Sequence, residues 1–197
     1  LYEPLFNTAM ARIAEVRRQL GFRTLFNLLG PLTNPAGASI QVLGVYDPDL
    51  TEKMAGGLKN LGTREAFVFC GEGTLDEISI CGPTRVSHLK NQTIQTFEMT
   101  PDALGLPRAA QADIRGGSAR ENAQIIRDIL RGVKGPRRDV VLVNASAAFV
   151  AAGLDSDFKA GIQRAEQSID SGRAQQKLDA LIDYSRSCVQ SVRSLAQ

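Results

Sequence analysis

The chain has 197 residues, of which 43% are hydrophobic and 22% charged, and lysine plus arginine number 23 against 21 aspartates and glutamates. This composition is typical of a globular chain with a buried core, and the scattered basic residues argue against a nucleic-acid-binding surface. Three distant cysteines fit neither a zinc site nor a disulfide framework, and no apolar stretch reaches the roughly 20 residues that a membrane-spanning helix needs. We expect reduced thiols and a cytoplasmic location, with no membrane partner.

The first predicted element is an amphipathic helix. Apolar residues recur at helical spacing from Ala9 to Leu20, and Gly21 is placed to end the helix. The chain starts at Leu1 rather than at a methionine, so we expect it to begin inside a longer protein whose upstream part covers the apolar helix face. The turn-forming segment that follows predicts a short helical turn and a loop over residues 23–37.

A strand, a helix and a second strand are predicted next. The run SIQVLGVY at residues 39–46 and the run AFVFC at 66–70 are short and apolar. Between them, Asp49 and Glu52 have the spacing of a capping box that opens a helix, and Gly62 is placed to end it. Such a βαβ unit predicts parallel strand pairing.

The pattern then changes to alternating segments. EISIC at 77–81, RVSHLK at 85–90 and TIQTFEM at 93–99 predict an antiparallel meander beside the parallel strands. Ser118 and Glu121 form a second capping-box pattern, for a helix that ends at Gly132.

Two further helices are predicted near Phe158–Ile169 and Arg173–Ser191. Strands that alternate with helices early in the chain, followed by helices, indicate the α/β class, with helices covering the sheet.

Two features are candidates for chemistry. Asp76 and Glu77 follow the second predicted strand, at the edge where open α/β sheets bind ligands, and paired carboxylates suit Mg²⁺. A solvated acidic turn is the alternative interpretation. Arg17 flanks the apolar stripe of the first helix, where its guanidinium would bind a carboxylate or form an internal salt bridge. His88 is the sole histidine and lacks the partners of a catalytic triad.

Three collinear segments resemble one enzyme family. They are GFRTLFNLLGPLTNPAG at 21–37, KNLGTREAFVFCGEGTLDEIS at 59–79 and GGSARENAQIIRDILRGVKGPRRDVVLVNASAA at 116–148. These segments closely resemble anthranilate phosphoribosyltransferases, and the resemblance covers nearly the whole chain. Such enzymes join the amine of anthranilate to the phosphoribosyl group of phosphoribosyl pyrophosphate, with magnesium, in tryptophan biosynthesis.

The resemblance implies an architecture and roles for individual residues. It implies an α/β fold with a mainly parallel sheet flanked by helices and an antiparallel extension, most of the family's small helical domain being absent. Residues 1–30 would be a remnant of that domain and the hinge, and residues 31–197 the α/β phosphoribosyltransferase domain. Asp76 and Glu77 would bind magnesium on the pyrophosphate side. Arg17 would contact the carboxylate of anthranilate, and Pro4 would line the entry channel.

The chain also departs from the family pattern. Asn7 and Thr8 stand where the family commonly has histidine and proline, Cys70 where it often has histidine, and Thr74 where it often has glycine. The family's GTGGD and KHGNR segments would lie upstream of Leu1. We therefore expect the chain alone to turn over little, and the full-length protein to form a homodimer.

Two other functions fit parts of the pattern. A pyrimidine nucleoside phosphorylase resembles this family in fold, although the FNLLGPLTNP and LDEIS segments favour the transferase. A non-catalytic fragment or paralogue that serves as a binding module is the other alternative, since the phosphate-binding segments are not in the chain.

Overall fold

A computed structural model describes Gln19, residues 26–34 and residues 36–195. The chain divides into two compact units, one formed by Leu1–Ile78 with Pro83–Met99 and the other by Ser79–Gly82 with Thr100–Gln197. Gln19 lies in a helix, but the rest of the helix predicted at residues 9–20 lies outside the described residues.

The first unit is built on a four-stranded mixed sheet in the order β1-β2-β3-β4. Its described elements are α1 (Phe26–Leu32), β1 (Ile40–Gly44), α2 (Leu50–Asn60), β2 (Glu65–Gly71), β3 (Thr84–Lys90) and β4 (Thr93–Met99). β1 and β2 pair in parallel, from Ile40 opposite Glu65 to Gly44 opposite Phe69. The other two pairings are antiparallel.

The α/β class and the parallel βαβ unit are confirmed, but the balance of the sheet differs from the expectation. One of its three strand pairings is parallel, where a mainly parallel sheet was expected. The reason is that only β1 and β2 are joined by a helical crossover within the described residues. β3 and β4 are joined by a two-residue turn whose Asn91 and Gln92 have φ values of 50° and 62°, which suits an antiparallel hairpin.

Helix α2 packs one face on the sheet. Met54, Ala55 and Leu58 are buried, together with Val68 and Leu89 from the strands. Each large apolar side chain removed from water in this way contributes about 1.5–3 kcal/mol. This packing holds the crossover helix against the parallel pair.

The start of α2 differs from the sequence prediction. Asp49 has helical dihedral angles, φ −71° and ψ −14°, and its side chain makes no capping hydrogen bond. The Asp49 N–H instead donates to Asp47 Oδ1 at 2.9 Å, so a local turn replaces the capping box. The predicted end is confirmed, since Gly62 follows the helix with φ 83°.

EISIC does not form the predicted strand. Ile78, Ser79 and Ile80 are all buried, so this segment is a buried irregular stretch rather than a strand with one exposed face. The Cys81 N–H donates to Ser79 Oγ at 3.0 Å, a local hydrogen bond that competes with a strand ladder.

The second unit is helical in its described residues. Its elements are α3 (Pro101–Leu104), α4 (Gln111–Ile114), α5 (Ala119–Leu130), α6 (Pro136–Ala151), α7 (Phe158–Asp170) and α8 (Arg173–Leu195). The capping box of α5 is confirmed, because Ser118 N–H donates to Glu121 Oε2 at 2.7 Å and Ser118 Oγ accepts from Glu121 N–H. The two predicted later helices correspond to α7 and α8. In the described part of the chain, no helix has the length and apolar character to cross a membrane.

An ion pair joins α6 to α7. The Arg138 side chain is 2% exposed and donates to Asp170 Oδ1 at 2.6 Å and to Oδ2 at 3.0 Å. The hydrogen bond from Arg138 lowers the pKa of Asp170. Because Asp170 is half exposed, the pair places a buried cation against a carboxylate that still reaches water.

We expect Asp170→Asn to destabilise the protein more than Arg138→Met, because the first change leaves a buried guanidinium without its anion.

A carboxylate whose pKa falls on folding stabilises the protein above its ordinary pKa, and this contribution is lost as the pH falls through the lowered value. The difference between wild type and Arg138→Met, measured by urea unfolding, should therefore shrink at acidic pH. Arg186→Met is the control, since the exposed pair that Arg186 forms with Asp183 contributes at most about 1 kcal/mol. A loss of stability in Asp170→Asn no larger than that in Arg138→Met, or a loss in Arg138→Met equal to that in Arg186→Met at neutral pH, would contradict these expectations.

Candidate functional site

The candidate site begins where β2 ends. Since β1 and β2 run in parallel, their carboxyl ends meet at one edge of the sheet, where α/β proteins commonly bind ligands. The loop that leaves β2 at this edge carries Glu72, then Asp76 and Glu77. The two carboxylates predicted from the sequence are therefore at the carboxyl edge of the parallel pair.

The loop is a tight turn closed by backbone hydrogen bonds. The Gly71 N–H donates to the Leu75 carbonyl at 2.7 Å, and the Leu75 N–H donates to the Gly71 carbonyl at 3.2 Å. Gly73 and Thr74 both have positive φ, 74° and 65°. Thr74 therefore holds a left-handed conformation that costs a non-glycine residue about 1 kcal/mol or more.

Two further backbone contacts fix the loop. The Glu72 N–H donates to the Pro83 carbonyl at 2.9 Å. The main chain of Asp76 lies against the last residue of β1, so closely that a Cβ added to Gly44 would be 1.7 Å from the Asp76 carbonyl oxygen. The loop that carries the acidic pair therefore continues from the end of β2 and packs, through the main chain of Asp76, against the end of β1.

Both acidic residues are largely exposed to solvent, although part of the Glu77 carboxyl is shielded from water. Partial burial and the neighbouring Asp76 carboxylate raise the pKa of Glu77. The described residues contain no group of three or more histidine, cysteine, aspartate or glutamate side chains placed to hold a metal ion. Mg²⁺ often takes only one or two carboxylates and completes its shell with water and phosphate oxygens, so Asp76 and Glu77 fit this cation.

The pKa of a buried thiol depends in part on the carboxylates at this edge. Cys70 is 4% exposed at the end of β2. Burial, and then the carboxylates of Asp47 and Asp76, raise the pKa of the Cys70 thiol. Asp47 lies just beyond β1 and was not singled out in the sequence, although its place after a predicted strand was a usable signal. The edge therefore carries carboxylates from beyond both strands.

The other residues that the sequence analysis considered are not found at this edge among the described residues. Arg17 and Pro4 lie outside the described residues, as do Asn7 and Thr8. His88 lies in β3, where its ring stacks on Phe67 with ring centroids 4.0 Å apart.

The Glu65 carboxylate contacts both His88 and Lys90 of β3. Glu65 Oε1 lies 3.0 Å from His88 Nε2 and 3.0 Å from Lys90 Nζ. The histidine is thus part of a packed and hydrogen-bonded cluster of the sheet.

The comparisons with known proteins agree on one family. The model of the glycosyl transferase family, a/b domain, matches residues 1–175. Anthranilate phosphoribosyltransferase of Syntrophobacter fumaroxidans is 51% identical over 184 residues, which cover 93% of this chain and 55% of the relative. The chain thus spans about half the length of the curated relatives it matches.

Solved structures give the same result. Anthranilate phosphoribosyltransferase from Thermus thermophilus matches with a TM-score of 0.86 and 41% identity, covering 94% of this chain and 55% of that one. The Saccharomyces cerevisiae enzyme in complex with PRPP and Mg matches with a TM-score of 0.83 and 32% identity, covering 93% and 53%. These relatives confirm the resemblance to anthranilate phosphoribosyltransferases that we inferred from the sequence.

The charges around Cys70 lead to a testable prediction. Asp76→Asn and Asp47→Asn each remove a negative charge that disfavours the thiolate, so both should lower the pKa of Cys70. The pH midpoint of Cys70 alkylation, measured in a background with Cys81→Ser and Cys188→Ser, should shift down, and more for Asp47→Asn. Glu72→Gln removes a charge from the same loop and serves as the control. Identical midpoints in all three variants would show that Asp47 and Asp76 do not face the thiol.

Proposed function

Because the chain belongs to the glycosyl transferase family, we propose that it forms the α/β part of an anthranilate phosphoribosyltransferase. The acidic pair at the carboxyl edge of β1 and β2 carries the proposal, in a chain whose fold matches a relative solved with PRPP and Mg. The family name and the residues of this edge support the same chemistry.

The proposed reaction is a substitution at the anomeric carbon of phosphoribosyl pyrophosphate. The amine nitrogen of anthranilate forms a bond to this carbon, the carbon–oxygen bond to pyrophosphate breaks, and pyrophosphate leaves with the bonding electrons. The nitrogen then loses one proton. The enzyme must therefore favour the accumulation of negative charge on the leaving group.

In this proposal, Asp76 and Glu77 bind magnesium beside the pyrophosphate. Bound magnesium supplies positive charge that offsets the negative charge of the departing pyrophosphate. Partial desolvation and then the charge of Asp76 raise the pKa of Glu77, so a cation beside the two carboxylates would favour their charged forms. The role of the protein is to hold these two carboxylates at a fixed place on the sheet edge.

The other assignments rest on the resemblance alone. Arg17 would donate to the carboxylate of anthranilate, and Pro4 would line the channel through which anthranilate enters. Residues 1–30 would belong to the helical domain and hinge, and residues 31–197 to the α/β domain. A cytoplasmic location and a homodimer of the full-length protein complete the proposal.

The test follows the fluorescence of anthranilate during incubation with phosphoribosyl pyrophosphate and Mg²⁺, for this chain and for a version extended upstream of Leu1. In the active version, Asp76→Asn and Glu77→Gln should each lower the rate about 100-fold, because they remove a group that offsets charge in the transition state. Glu72→Gln, a matched change in the same loop, should leave the rate unchanged.

Two outcomes would contradict the proposal. Phosphorolysis of thymidine or uridine without consumption of anthranilate would assign the chain to the pyrimidine nucleoside phosphorylases. Absence of both activities from the chain and from its extended version would favour a non-catalytic binding module.

A further inference from the structure

Gly44 is a glycine for a reason of space rather than of backbone conformation. It is the last residue of β1, pairs with Phe69 of β2, and is not among the described glycines with positive φ. Any residue could adopt its backbone conformation. A glycine at the interior or end of a strand, with no conformational need, commonly marks a place where another backbone approaches closely.

The approaching backbone belongs to the acidic pair. A Cβ on Gly44 would lie 1.7 Å from the Asp76 carbonyl oxygen, 2.4 Å from its carbonyl carbon and 3.0 Å from its Cα. These are main-chain atoms, which cannot rotate away as the end of a flexible side chain can. Alanine at position 44 therefore requires the Asp76 backbone to move.

The loop has little freedom to absorb this movement. It is closed at Gly71 and Leu75 by two backbone hydrogen bonds, and Glu72 is bound to the Pro83 carbonyl. Moving Asp76 by the distance that a methyl group needs would strain these bonds or rotate the Asp76–Glu77 peptide. Both responses displace the two carboxylates from their place on the edge of the sheet.

We infer that Gly44 is a positioning residue for the metal-binding pair Asp76 and Glu77, acting through the main chain of Asp76. The inference rests on the proposed function of that pair. Gly44 touches neither metal nor substrate. Residues that orient metal ligands typically change metal affinity about 10- to 100-fold when they are altered, and we expect a loss of this size in Gly44→Ala.

The experiment uses Mn²⁺ as the probe and measures free Mn²⁺ by electron paramagnetic resonance as it is titrated into the chain. Gly44→Ala is compared with wild type, Asp76→Asn and two control variants. Gly56→Ala adds a methyl group where no atom lies within 4 Å. Gly161→Ala places a Cβ 2.8 Å from Ser146 Cβ in the other unit, so it adds steric strain that is not directed at the acidic loop.

The expected result is weak Mn²⁺ binding by Gly44→Ala and Asp76→Asn, and binding like wild type by Gly56→Ala and Gly161→Ala. If Asp76→Asn binds like wild type, the metal site itself is refuted. If Asp76→Asn loses binding but Gly44→Ala does not, the role of Gly44 alone is refuted. An equal loss in Gly161→Ala would show that binding follows general destabilisation, which also refutes the role of Gly44.

A second measurement applies if Gly44→Ala does not fold. In wild-type protein, Mn²⁺ broadens the nuclear magnetic resonance signals of nearby protons. The Gly44 amide should broaden at lower Mn²⁺ than the Gly56 amide, and Asp76→Asn should abolish the difference. Equal broadening of the two amides in wild type would overturn the inference.

Discussion

The parallel register of β1 and β2, which pairs Gly44 with Phe69, brings the carboxyl ends of both strands to one edge of the sheet. Helix α2 connects the two strands and buries Met54 and Leu58 against the sheet, which holds this register. A shift by one residue would turn the apolar side chains to the opposite face. The core of the first unit and the geometry of the candidate site thus depend on the same pairing.

The same pairing concentrates negative charge. Asp47 follows β1, and Asp76 and Glu77 follow β2, so like charges collect at one edge. Burial first, and then these carboxylates, raise the pKa values of Cys70 and Glu77. Backbone strain is commonly retained where it serves a function. The left-handed Thr74 in this loop, with φ 65°, fits that pattern.

The features that could be predicted from the sequence are those that depend on local chemistry. The βαβ unit, the capping box of Ser118 and the helix ends at Gly62 and Gly132 follow from periodicity and from residue types, and the structure confirms them. The position of Asp76 beyond β2 could be predicted for the same reason. The roles of Asp76, Glu77, Arg17 and Pro4 stay predictions.

What sequence reasoning missed depends on contacts that residue types alone do not show. The Asp49 capping box was wrong because Asp47 supplies the hydrogen bond, and the EISIC strand was wrong because Ser79 makes a local one. The need for glycine at position 44 comes from Asp76, which is distant along the chain, and no local pattern shows it. The mixed sheet likewise depends on how each pair of strands is connected.

The most direct test of the central claim, that this edge binds a divalent cation, is an anomalous difference map from crystals of the chain soaked in Mn²⁺. We expect a peak within about 2–2.5 Å of carboxylate oxygens of Asp76 and Glu77, a distance typical of oxygen ligands to such cations. A map with Mn²⁺ bound elsewhere on the chain, and no peak beside these two residues, would contradict the account.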